Sequence, residues 1–566
     1  MNAPSEHYED EKTMKKTPKT LTGKVWQVSS PNTKLPLIER ITQHRKLKLD
    51  EELTELHSPW LLKNIDTAVK RLEQAIQSKE RIMVFGDYDV DGVTGATIIY
   101  LSLKKLTNEV SIRLPHRDRD GYGLNTKFID ECYKNQVKVI ITVDCGISNV
   151  AEIAHAESLG IHVIITDHHD IPLEIPNAYA ILNPQQEDCN YPEAKVCGAV
   201  VGFKAMQALF EHVGKDPNEL DIYLDMAAMA TIADCMPLRG ENRLIVKKGL
   251  KQFEQCQHRG LKKLVESKLG GKRITSEGIG FWVAPSINAA GRINEPTAAL
   301  DMMIGNSEAA EKKALELSEI NEERRSILKN HLQDVINQVN PDDSLHIFWS
   351  ETWPSGINGL LAGELCKKFH KPAICLTKSG EHYTASCRSI SGINIVEVLQ
   401  KHDELFIKYG GHAAAAGFSI APENLEIMKE KLTADIGQFL KENPITPTLY
   451  LETQLNESEL NLDTIGVIEQ FEPFGMGNPK PQFLLRNVEV IHTKPVGEDQ
   501  THLSLTIRKG TQEFRCIAFG QAEHEELLKQ WEQIDIACKL SRNEFRGNVS
   551  LNIQVVDARK AGSPPP

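Results

Sequence analysis

The 566-residue chain lacks several features that would assign it to other classes of protein. It has 11 cysteines but no Cys-x-x-Cys pair, so we expect reduced thiols and neither a disulfide framework nor a zinc ribbon. Its apolar runs are far shorter than the roughly 20 residues of a membrane span. Residues 1–20 are polar and lack the apolar stretch of a secretory signal. We therefore expect a disordered N-terminal tail and a cytoplasmic location.

An excess of basic residues is also absent, since the formal net charge is −13. A negative total does not indicate a nucleic-acid-binding protein, but such binding depends on local patches and not on the sum. Internal repeats and long low-complexity segments are missing as well. Because single cores stop growing beyond about 250–300 residues, a chain of this length predicts several domains.

The sequence does contain three carboxylates at alternate positions, Asp87, Asp89 and Asp91. They follow the apolar run 81–86, which predicts a buried parallel strand, and they precede residues 93–106, which predict a helix. This strand-to-helix turn is where open α/β sheets place their ligand sites. Three repelling charges there favour a bound cation, although a solvated acidic turn or an Asp N-cap fits this short motif about equally well.

Further polar side chains are predicted at the same edge of the sheet. Asp144 comes directly after one apolar β run, and a second run, 162–166, is ended by Asp167-His168-His169-Asp170. Asp234 closes an apolar helical stretch. A lone Asp or His after a strand is more often a cap than a ligand. Several of them converging on one edge are hard to explain without a metal.

Strand and helix patterns alternate from residue 81 to about 237 and predict a doubly wound parallel sheet. A long charged helix and then a smaller α/β unit follow, and five short strands after residue 448 predict an OB-type β-barrel, a common platform for single strands. The predicted divisions are a tail at 1–20, a catalytic lobe with an N-terminal helical extension at 21–305, a connecting helix at 306–340, a second lobe at 341–443, the barrel at 444–558 and a tail at 559–566.

Eight short motifs follow one another along nearly the whole chain. They are DYDVDG at 87–92, VDCG at 143–146, DHH at 167–169, IAD at 232–234, NAAGR at 288–292, GGHAAAAG at 410–417, EPFGMGNP at 472–479 and NEFRG at 543–547. In this order they resemble the RecJ family of exonucleases, within the DHH phosphoesterase superfamily. The resemblance implies a DHH lobe, a DHHA1-type substrate-binding lobe and a C-terminal OB domain.

The resemblance also implies roles for individual residues. A two-metal site for Mn²⁺ or Mg²⁺ would be formed by Asp87, Asp89, Asp144, His168 and Asp234. The same catalytic centre would include Asp91 close by and His169 on the scissile phosphate. The positions implied to bind the substrate are Arg117, Arg292, Ser386, Arg388, Gly410, Gly411, His412 and Arg546.

Some of these substrate positions have a plain structural alternative. Gly410 and Gly411 are predicted to lead into an Ala-rich helix whose free N–H groups would suit a phosphate, but they also fit a tight turn into a close-packed helix. Arg117 could lie in a solvated turn, and Arg388 could form a structural ion pair. If not, Arg117, Arg292 and Arg388 would share a terminal 5′-phosphate.

The activity that the resemblance implies is 5′-to-3′ hydrolysis of single-stranded DNA in recombination and repair, with direct attack by water at two metals. The implied partners are single-stranded DNA, a helicase and a single-strand-binding protein, and the chain is expected to be a monomer. A small-substrate DHH phosphodiesterase is an alternative, but such relatives usually lack the OB unit. A non-catalytic DNA-bound scaffold is another, but it would have lost metal ligands.

Pro354 departs from the family, which usually has a His there that could ligate a metal.

Overall fold

The computed structural model describes residues 20–30, 32–45, 52–116, 123–293, 297–545 and 548–562, so Arg117 and Arg546 lie outside the described residues. The chain forms two units. One consists of Glu51–Pro444 and Pro473–Pro479. The other joins the described N-terminal residues to Ile445–Glu472 and Lys480–Pro566. No helix in the described ranges is long and apolar enough to cross a membrane.

The N-terminal elements are strand β1 (Val25–Ser30) and helix α1 (Leu37–Arg45). β1 pairs in parallel with Thr448–Gln454, and the buried indole of Trp26 donates to Asp557 Oδ2 at 2.8 Å. The segment therefore belongs to the unit of the C-terminal strands, and its prediction as an extension of the catalytic lobe is corrected. Pairing between strands more than 400 residues apart leaves no local signal in a sequence.

The catalytic lobe is built on five parallel strands. Its elements are α2 (Ile65–Gln77), β2 (Arg81–Gly86), α3 (Val90–Lys104), β3 (Val110–Arg113), α4 (Thr126–Lys134), β4 (Val137–Val143), α5 (Val150–Ser158), β5 (His162–Thr166), β6 (Ala180–Leu182), α6 (Gly198–His212), α7 (Leu224–Ala233), α8 (Gly240–Glu254), α9 (Arg259–Leu269), α10 (Ser276–Gly278), a π-helical turn (Ile279–Val283), α11 (Ala284–Ile293) and α12 (Thr297–Ile304). The strand order is β3-β2-β4-β5-β6. The order reverses between β2 and β4, which is the switch point where such sheets bind ligands.

Helices cover both faces of this sheet, which confirms the doubly wound prediction. Successive strand residues point to opposite faces. Val84 packs in the cluster that contains Val93 and Val200 of α3 and α6. Its neighbour Phe85 packs with Phe128 of α4 in the other cluster. The predicted limits of β2 are also confirmed.

The second lobe follows the long helix. Its elements are α13 (Glu308–Ile336), β7 (His346–Ser350), α14 (Asn358–Phe369), β8 (Ala373–Ser379), β9 (His382–Arg388), α15 (Ile395–Gln400), β10 (Phe406–His412), β11 (Ala415–Ile420) and α16 (Leu425–Glu442). The strands form one sheet in the order β10-β11-β9-β8-β7. The α/β character predicted for this lobe and the long connecting helix are confirmed.

The glycine–alanine motif of the second lobe is a β-hairpin, so the predicted turn into an Ala-rich helix is wrong. Gly411 has a φ of 139°, and a Cβ there would lie 2.5 Å from both Ala415 O and Ala416 Cα. Ala415 in turn pairs with Arg388 of β9. Small residues are needed here because three strands approach closely, and no helix dipole is available for a phosphate.

The second unit contains the predicted barrel. Its remaining elements are β12 (Thr448–Gln454), α17 (Leu462–Glu469), β13 (Phe483–Val496), β14 (His502–Lys509), β15 (Gln512–Ala518), α18 (Glu525–Gln530), β16 (Gln533–Phe545) and β17 (Asn548–Lys560). Strands β13-β14-β15-β17-β16 close on themselves through β13 and β16. β17 extends to Lys560, and Arg559 is buried 3.3 Å from Asp535. The tail predicted from residue 559 is therefore wrong for these two residues, because Arg559 forms a buried ion pair and Lys560 pairs with Ile534 of β16.

Short 3₁₀ turns connect several of these elements. They lie at Pro59–Leu61, Pro217–Tyr223, Ser355–Ile357, Asp403–Leu405, Pro422–Asn424, Glu457–Glu459 and Ala522–His524. Pro354 directly precedes one of them and has an extended conformation.

Candidate metal centre

Three aspartates continue the backbone ladder of the parallel sheet one residue beyond their strands. The N–H groups of Asp87, Asp144 and Asp167 donate to the last carbonyl of the neighbouring strand at 3.2, 3.0 and 3.0 Å. Each aspartate therefore begins the loop at the carboxyl end of its strand, and all three meet at the edge that contains the switch point. This ladder is the reason why residues distant in sequence share one site.

The imidazole of His168 lies at the centre of the cluster. Its Nε2 is 3.0 Å from Asp144 Oδ1, 3.6 Å from Asp91 Oδ2 and 3.6 Å from Asp234 Oδ2. Asp234 reaches this position because it caps the C-terminus of α7. The predicted convergence of an Asp from the sheet, a His from the next strand and an Asp from a helix end is observed.

A second set of carboxylates lies beside the first. Oxygens of Asp87, Asp89 and Asp144 are all within 4.8 Å of one another, so the two sets share Asp144. Asp89 also caps α3, since its Oδ1 accepts the N–H of Gly92 at 3.1 Å. The N-cap alternative is thus correct for this residue and does not exclude a ligand role. Two overlapping donor sets with one common carboxylate fit two cations.

The backbone at Asp144 is strained. Its φ of 58° lies in the left-handed region that non-glycine residues rarely adopt. Gly198, the first residue of α6, lies so close that a Cβ there would approach Asp144 Cα to 2.9 Å. Strain of this kind persists where the surroundings fix it, and it clusters at functional sites.

Asp91 also anchors the start of helix α6, a role that the sequence did not indicate. Its two carboxylate oxygens accept the N–H groups of Gly198 and Ala199 at 2.6 and 2.7 Å. These donors open α6, where the helix dipole favours a negative charge. Asp91 therefore ties α3 to α6 and positions the cluster as well as facing His168.

Asp167 is a site residue that the sequence analysis did not select. Its Oδ1 accepts the backbone N–H groups of His168 and His169 at 2.7 and 3.1 Å. The same oxygen lies 2.8 Å from His169 Nδ1, and Asn183 Nδ2 donates to His169 O at 2.9 Å. The signal was available, because Asp167 follows its strand as Asp87 and Asp144 follow theirs.

Burial and crowded charges shift the titration of the cluster. Burial, followed by the charge of Asp91, raises the pKa of Asp144 well above its usual 3.8. The same two causes raise the pKa of Asp234 to about 8. Burial lowers the pKa of His168, which favours the neutral imidazole that a metal needs. Burial opposes the charged form of His169, but the hydrogen bond with Asp167 and the negative charges of Asp167, Asp234 and Asp91 together outweigh it and raise the pKa to about 9.

The cluster fits a bound divalent cation. It offers mainly carboxylate oxygens and one or two imidazoles, a donor set that suits Mn²⁺ or Mg²⁺. The buried Oδ2 of Asp234 accepts no hydrogen bond from the described residues. A nearby positive charge would lower the raised pKa values of the carboxylates and provide this oxygen with a partner.

The second lobe presents Ser386 and Arg388 on the same side of β9. Gly359 of α14 lies against them, since a Cβ there would be 3.1 Å from Arg388 Nη2 and 3.7 Å from Ser386 Cβ. Burial lowers the pKa of Arg388, and its Nη1 donates to Cys387 O at 2.8 Å. Within the part of the chain that the structure describes, no carboxylate forms an ion pair with Arg388. The structural ion pair considered for this residue is not observed.

The two lobes of this unit meet near the metal cluster. His412 Nδ1, at the end of the hairpin that contains Gly410 and Gly411, is 3.3 Å from Asp170 Oδ2, just after the DHH motif. Arg292 Nη1 donates to Gly356 O at 3.0 Å and so links the catalytic lobe to the second lobe.

The NAAGR motif that ends in Arg292 packs on the DYDVDG turn. Asn288 Oδ1 accepts the N–H of Val90 at 3.1 Å, and a Cβ on Gly291 would lie 2.9 Å from Tyr88 O.

Comparison with known proteins agrees with these observations. Residues 81–231 match the model of the DHH family N-terminal domain, residues 342–438 that of the DHHA1 domain, and residues 451–557 that of the RecJ OB domain. A single-stranded-DNA-specific exonuclease RecJ from Thermus thermophilus is 32% identical over 91% of this chain and 74% of its own length. The chain belongs to the RecJ family.

Other members of the RecJ family support the assignment. The single-stranded-DNA-specific exonuclease RecJ of Bacillus subtilis is 33% identical over 91% of this chain, which spans 65% of that relative's length. Solved structures of Thermus thermophilus RecJ with Mn²⁺ and with Mg²⁺ superpose with TM-scores of 0.81 and 0.76, at 29% and 28% identity. They cover 94% of this chain, and this chain covers 79% and 78% of them.

Proposed function

We propose that the chain is a metal-dependent exonuclease that hydrolyses single-stranded DNA from its 5′ end. The observation that carries the proposal is the pair of overlapping Asp/His sets that share Asp144, in a member of the RecJ family. The relatives carry the description of single-stranded-DNA-specific exonuclease, and the Thermus structures contain Mn²⁺ or Mg²⁺. The closed barrel adds a platform suited to a long single strand.

Five residues of the cluster are assigned to metal binding. Asp87, Asp89, Asp144, His168 and Asp234 would hold two ions. When bound, Mn²⁺ or Mg²⁺ supplies an activated water and neutralises the phosphodiester and its leaving oxygen. Water attacks directly, because neither a Ser-His-Asp nor a Cys-His arrangement was found in the sequence.

His169 is assigned to the substrate. Asp167 Oδ1 lies 2.8 Å from its Nδ1 and fixes the ring. With its pKa raised to about 9, the ring donates as a cation at neutral pH. A cationic donor forms a stronger hydrogen bond to an anion than a neutral one does.

Recognition of the end is assigned to the second lobe. Arg388 has no carboxylate partner among the described residues, and Ser386 stands beside it. A terminal 5′-phosphate carries one more negative charge than an internal diester, and an Arg fork can take two of its oxygens. Arg117 and Arg292 would contribute further charge, and His412 would face the strand near Gly410 and Gly411. Arg546 of the NEFRG motif would hold the strand on the barrel.

The biological setting follows from the substrate. We place the enzyme in recombination and repair, where single strands arise, and in the cytoplasm, where a bacterial cell keeps its DNA. A helicase would supply single strands, and a single-strand-binding protein would cover them. Both are expected partners of a monomeric enzyme.

Single-stranded oligonucleotides that carry a label at either end, digested with Mn²⁺, test the proposal directly. We expect mononucleotide release that begins at the 5′ end, with duplex DNA resistant. Asp144→Asn should abolish cleavage and keep the fold, because Asn tolerates the φ of 58° that Ala would not. Internal cuts, equal cleavage of duplex, or an active Asp144→Asn variant would contradict the proposal. Faster turnover of dinucleotides than of long strands would support the small-substrate alternative.

A further inference from the structure

Most of the EPFGMGNP motif belongs to a different unit from the residues on either side of it. Ile445–Glu472 and Lys480–Pro566 belong to the barrel unit, whereas Pro473–Pro479 belongs to the catalytic unit. Within the segment, the N–H groups of Gly475 and Asn478 donate to each other's carbonyl at 3.0 and 3.2 Å. Phe474 and Asn478 are buried, with 4% and 3% of their surface exposed. The segment is thus a small, fixed hairpin and not a loose linker.

This segment contacts the loop 235–239, which directly follows the metal-ligand candidate Asp234. The N–H of Leu238 donates to Met476 O at 2.7 Å, and Arg239 Nε donates to Gly477 O at 2.9 Å. On its other side the segment is held by Ser276, whose Oγ donates to Phe474 O at 2.6 Å. These bonds connect the segment to the end of α7 and to the start of α10.

The loop 235–239 begins in a conformation that needs support. Cys235 has a φ of 56°, and its N–H donates to Ile232 O at 3.2 Å, while the N–H of Met236 donates to Thr231 O at 3.0 Å. This is the left-handed helix ending that glycine usually adopts. A non-glycine residue keeps it only where the surroundings fix the chain.

The fit between segment and loop is close enough to need glycine. A Cβ on Gly475 would lie 2.7 Å from Leu238 Cδ1, and one on Gly477 would lie 3.3 Å from Pro237 Cα. Leu238 is only 1% exposed, so its side chain has little room to move away. A larger residue at position 475 must therefore displace the buried side chain of Leu238, within the loop that follows Asp234.

We infer that Pro473–Pro479 is a positioning element for the metal centre. It fixes the loop 235–239, and through that loop it sets the carboxylate of Asp234, whose Oδ2 lies 3.6 Å from His168 Nε2. The inference rests on the proposed function only in that Asp234 holds a metal ion. The residues that support a ligand matter because they orient it, and their loss typically lowers metal affinity about 10- to 100-fold.

The test is the affinity of the full chain for Mn²⁺ alone, measured by calorimetry without DNA. We expect Gly475→Ala to weaken binding by about tenfold or more. Gly466→Ala is the matched control, because a Cβ on Gly466 of α17 would meet no atom within 4 Å. Adding Leu238→Ala to Gly475→Ala should recover part of the loss by making room. Unchanged Mn²⁺ affinity in Gly475→Ala, or no recovery in the double variant, would overturn the inference.

A second variant covers the case in which Gly475→Ala does not fold. Arg239 is exposed, and Arg239→Met removes its bond to Gly477 O without filling space. We expect a smaller loss of Mn²⁺ affinity at an unchanged thermal midpoint, and an unchanged affinity would again contradict the inference. Weaker Mn²⁺ binding in these variants, together with absent nuclease activity in the parent chain, would refute the proposed function and leave the positioning role intact.

Discussion

Buried carboxylates at this site take different roles because of their immediate partners. Asp91 accepts two backbone N–H groups from the start of α6. Asp167 accepts three, from Ile147, His168 and His169. Asp144 instead turns Oδ1 toward the ring nitrogens of His168 and His169, at 3.0 and 3.7 Å. Backbone donors thus hold Asp91 and Asp167 in place, whereas Asp144 faces the side chains of the other candidate ligands.

Arg388→Ala separates recognition of an end from general binding. Removal of a charge-assisted contact costs roughly 1.5–3 kcal/mol, or about ten- to a hundredfold in rate. We expect this loss on strands with a 5′-phosphate and a much smaller one on strands with a 5′-hydroxyl. The measurement is kcat/KM on matched oligonucleotides that differ only at the 5′ end. An equal loss on both would show that Arg388 is structural and that the end is sensed elsewhere.

Asp225 of α7 offers a test of buried charge away from the metal centre. Burial raises its pKa from 3.8 to about 6, so the native protein keeps this proton to a higher pH than the unfolded chain does. Stability is therefore lost as the pH rises from about 4 through 6, by roughly 2–3 kcal/mol. Asp225→Asn should raise the thermal midpoint more at pH 8 than at pH 5.

The exposed Asp66→Asn on α2 is the control for this comparison, and we expect no such gain from it. An equal effect of Asp225→Asn at both pH values would show that its carboxyl is not protonated in the native protein.

At the residue scale, the sequence indicated which side chains come together, but it did not indicate which contacts each of them makes. Asp87, Asp144 and His168 follow apolar β runs, a pattern that local sequence records. The anchoring of Asp91 by α6 depends on residues more than 100 positions away, and nothing in its alternating motif distinguishes an anchor from a ligand. The contacts of Asp167 Oδ1 with His168 and His169 likewise depend on the folded backbone, and no sequence pattern indicates them.

Helix α6 is the element that fixes the centre of the cluster. Gly198 brings its first turn against Asp144. Gly198→Ala would place a methyl group 2.8 Å from Asp144 Cβ and should destabilise the protein by about 1–3 kcal/mol, as overpacking does. Urea unfolding and Mn²⁺ affinity measure the effect, and we expect both to fall.

Gly363→Ala on α14 is the matched control, because a Cβ there would meet no atom within 4 Å. It should be neutral or stabilise by up to about 1 kcal/mol, since Ala favours a helix over Gly. Equal stability changes in Gly198→Ala and Gly363→Ala would show that the contact with Asp144 is not tight.

Elements with a strong hydrophobic period were predicted well, and those set by distant pairing were not. The five barrel strands and the long helix α13 were found because their patterns are local. The Gly-Ala hairpin was mistaken for a helix start, since alanine favours helices when nothing else decides. In the structure, Ala415 pairs with Arg388 of β9, and this pairing makes the segment a strand. The pairing of β1 with β12 was missed because it also joins residues that are distant in the sequence.

A C-terminal truncation does not test the barrel alone, because the chain contributes part of the C-terminal region to the catalytic unit. Removal of residues 449–566 would delete the barrel, but also Pro473–Pro479 of the catalytic unit and the strand partner of β1. A loss of activity in such a truncation would combine a weaker hold on DNA with a disturbed metal centre. Substitutions on the surface of the barrel are therefore the better test of its role.

The net charge of −13 makes a local basic surface necessary for binding a strand. Lys494 of β13 and Arg515 of β15 are exposed, and they pair with Ser504 and Thr506 of β14. Alternate residues of a strand share a face, so both cations lie on the same outer face of the barrel. The described residues provide no carboxylate partner for either cation. Each phosphate contact contributes about 0.7 to the salt dependence of single-strand binding.

Replacing Lys494 and Arg515 by Gln should therefore weaken binding of a long single strand and reduce the slope of log K against log salt by about 1.4. Arg508→Gln is the control, because Arg508 is already engaged by Glu489 and Glu513 at 3.0 and 2.8 Å. Cleavage of very short strands should change little, since they need only the catalytic unit. If the slope stays constant in the double variant, the strand follows another face of the barrel.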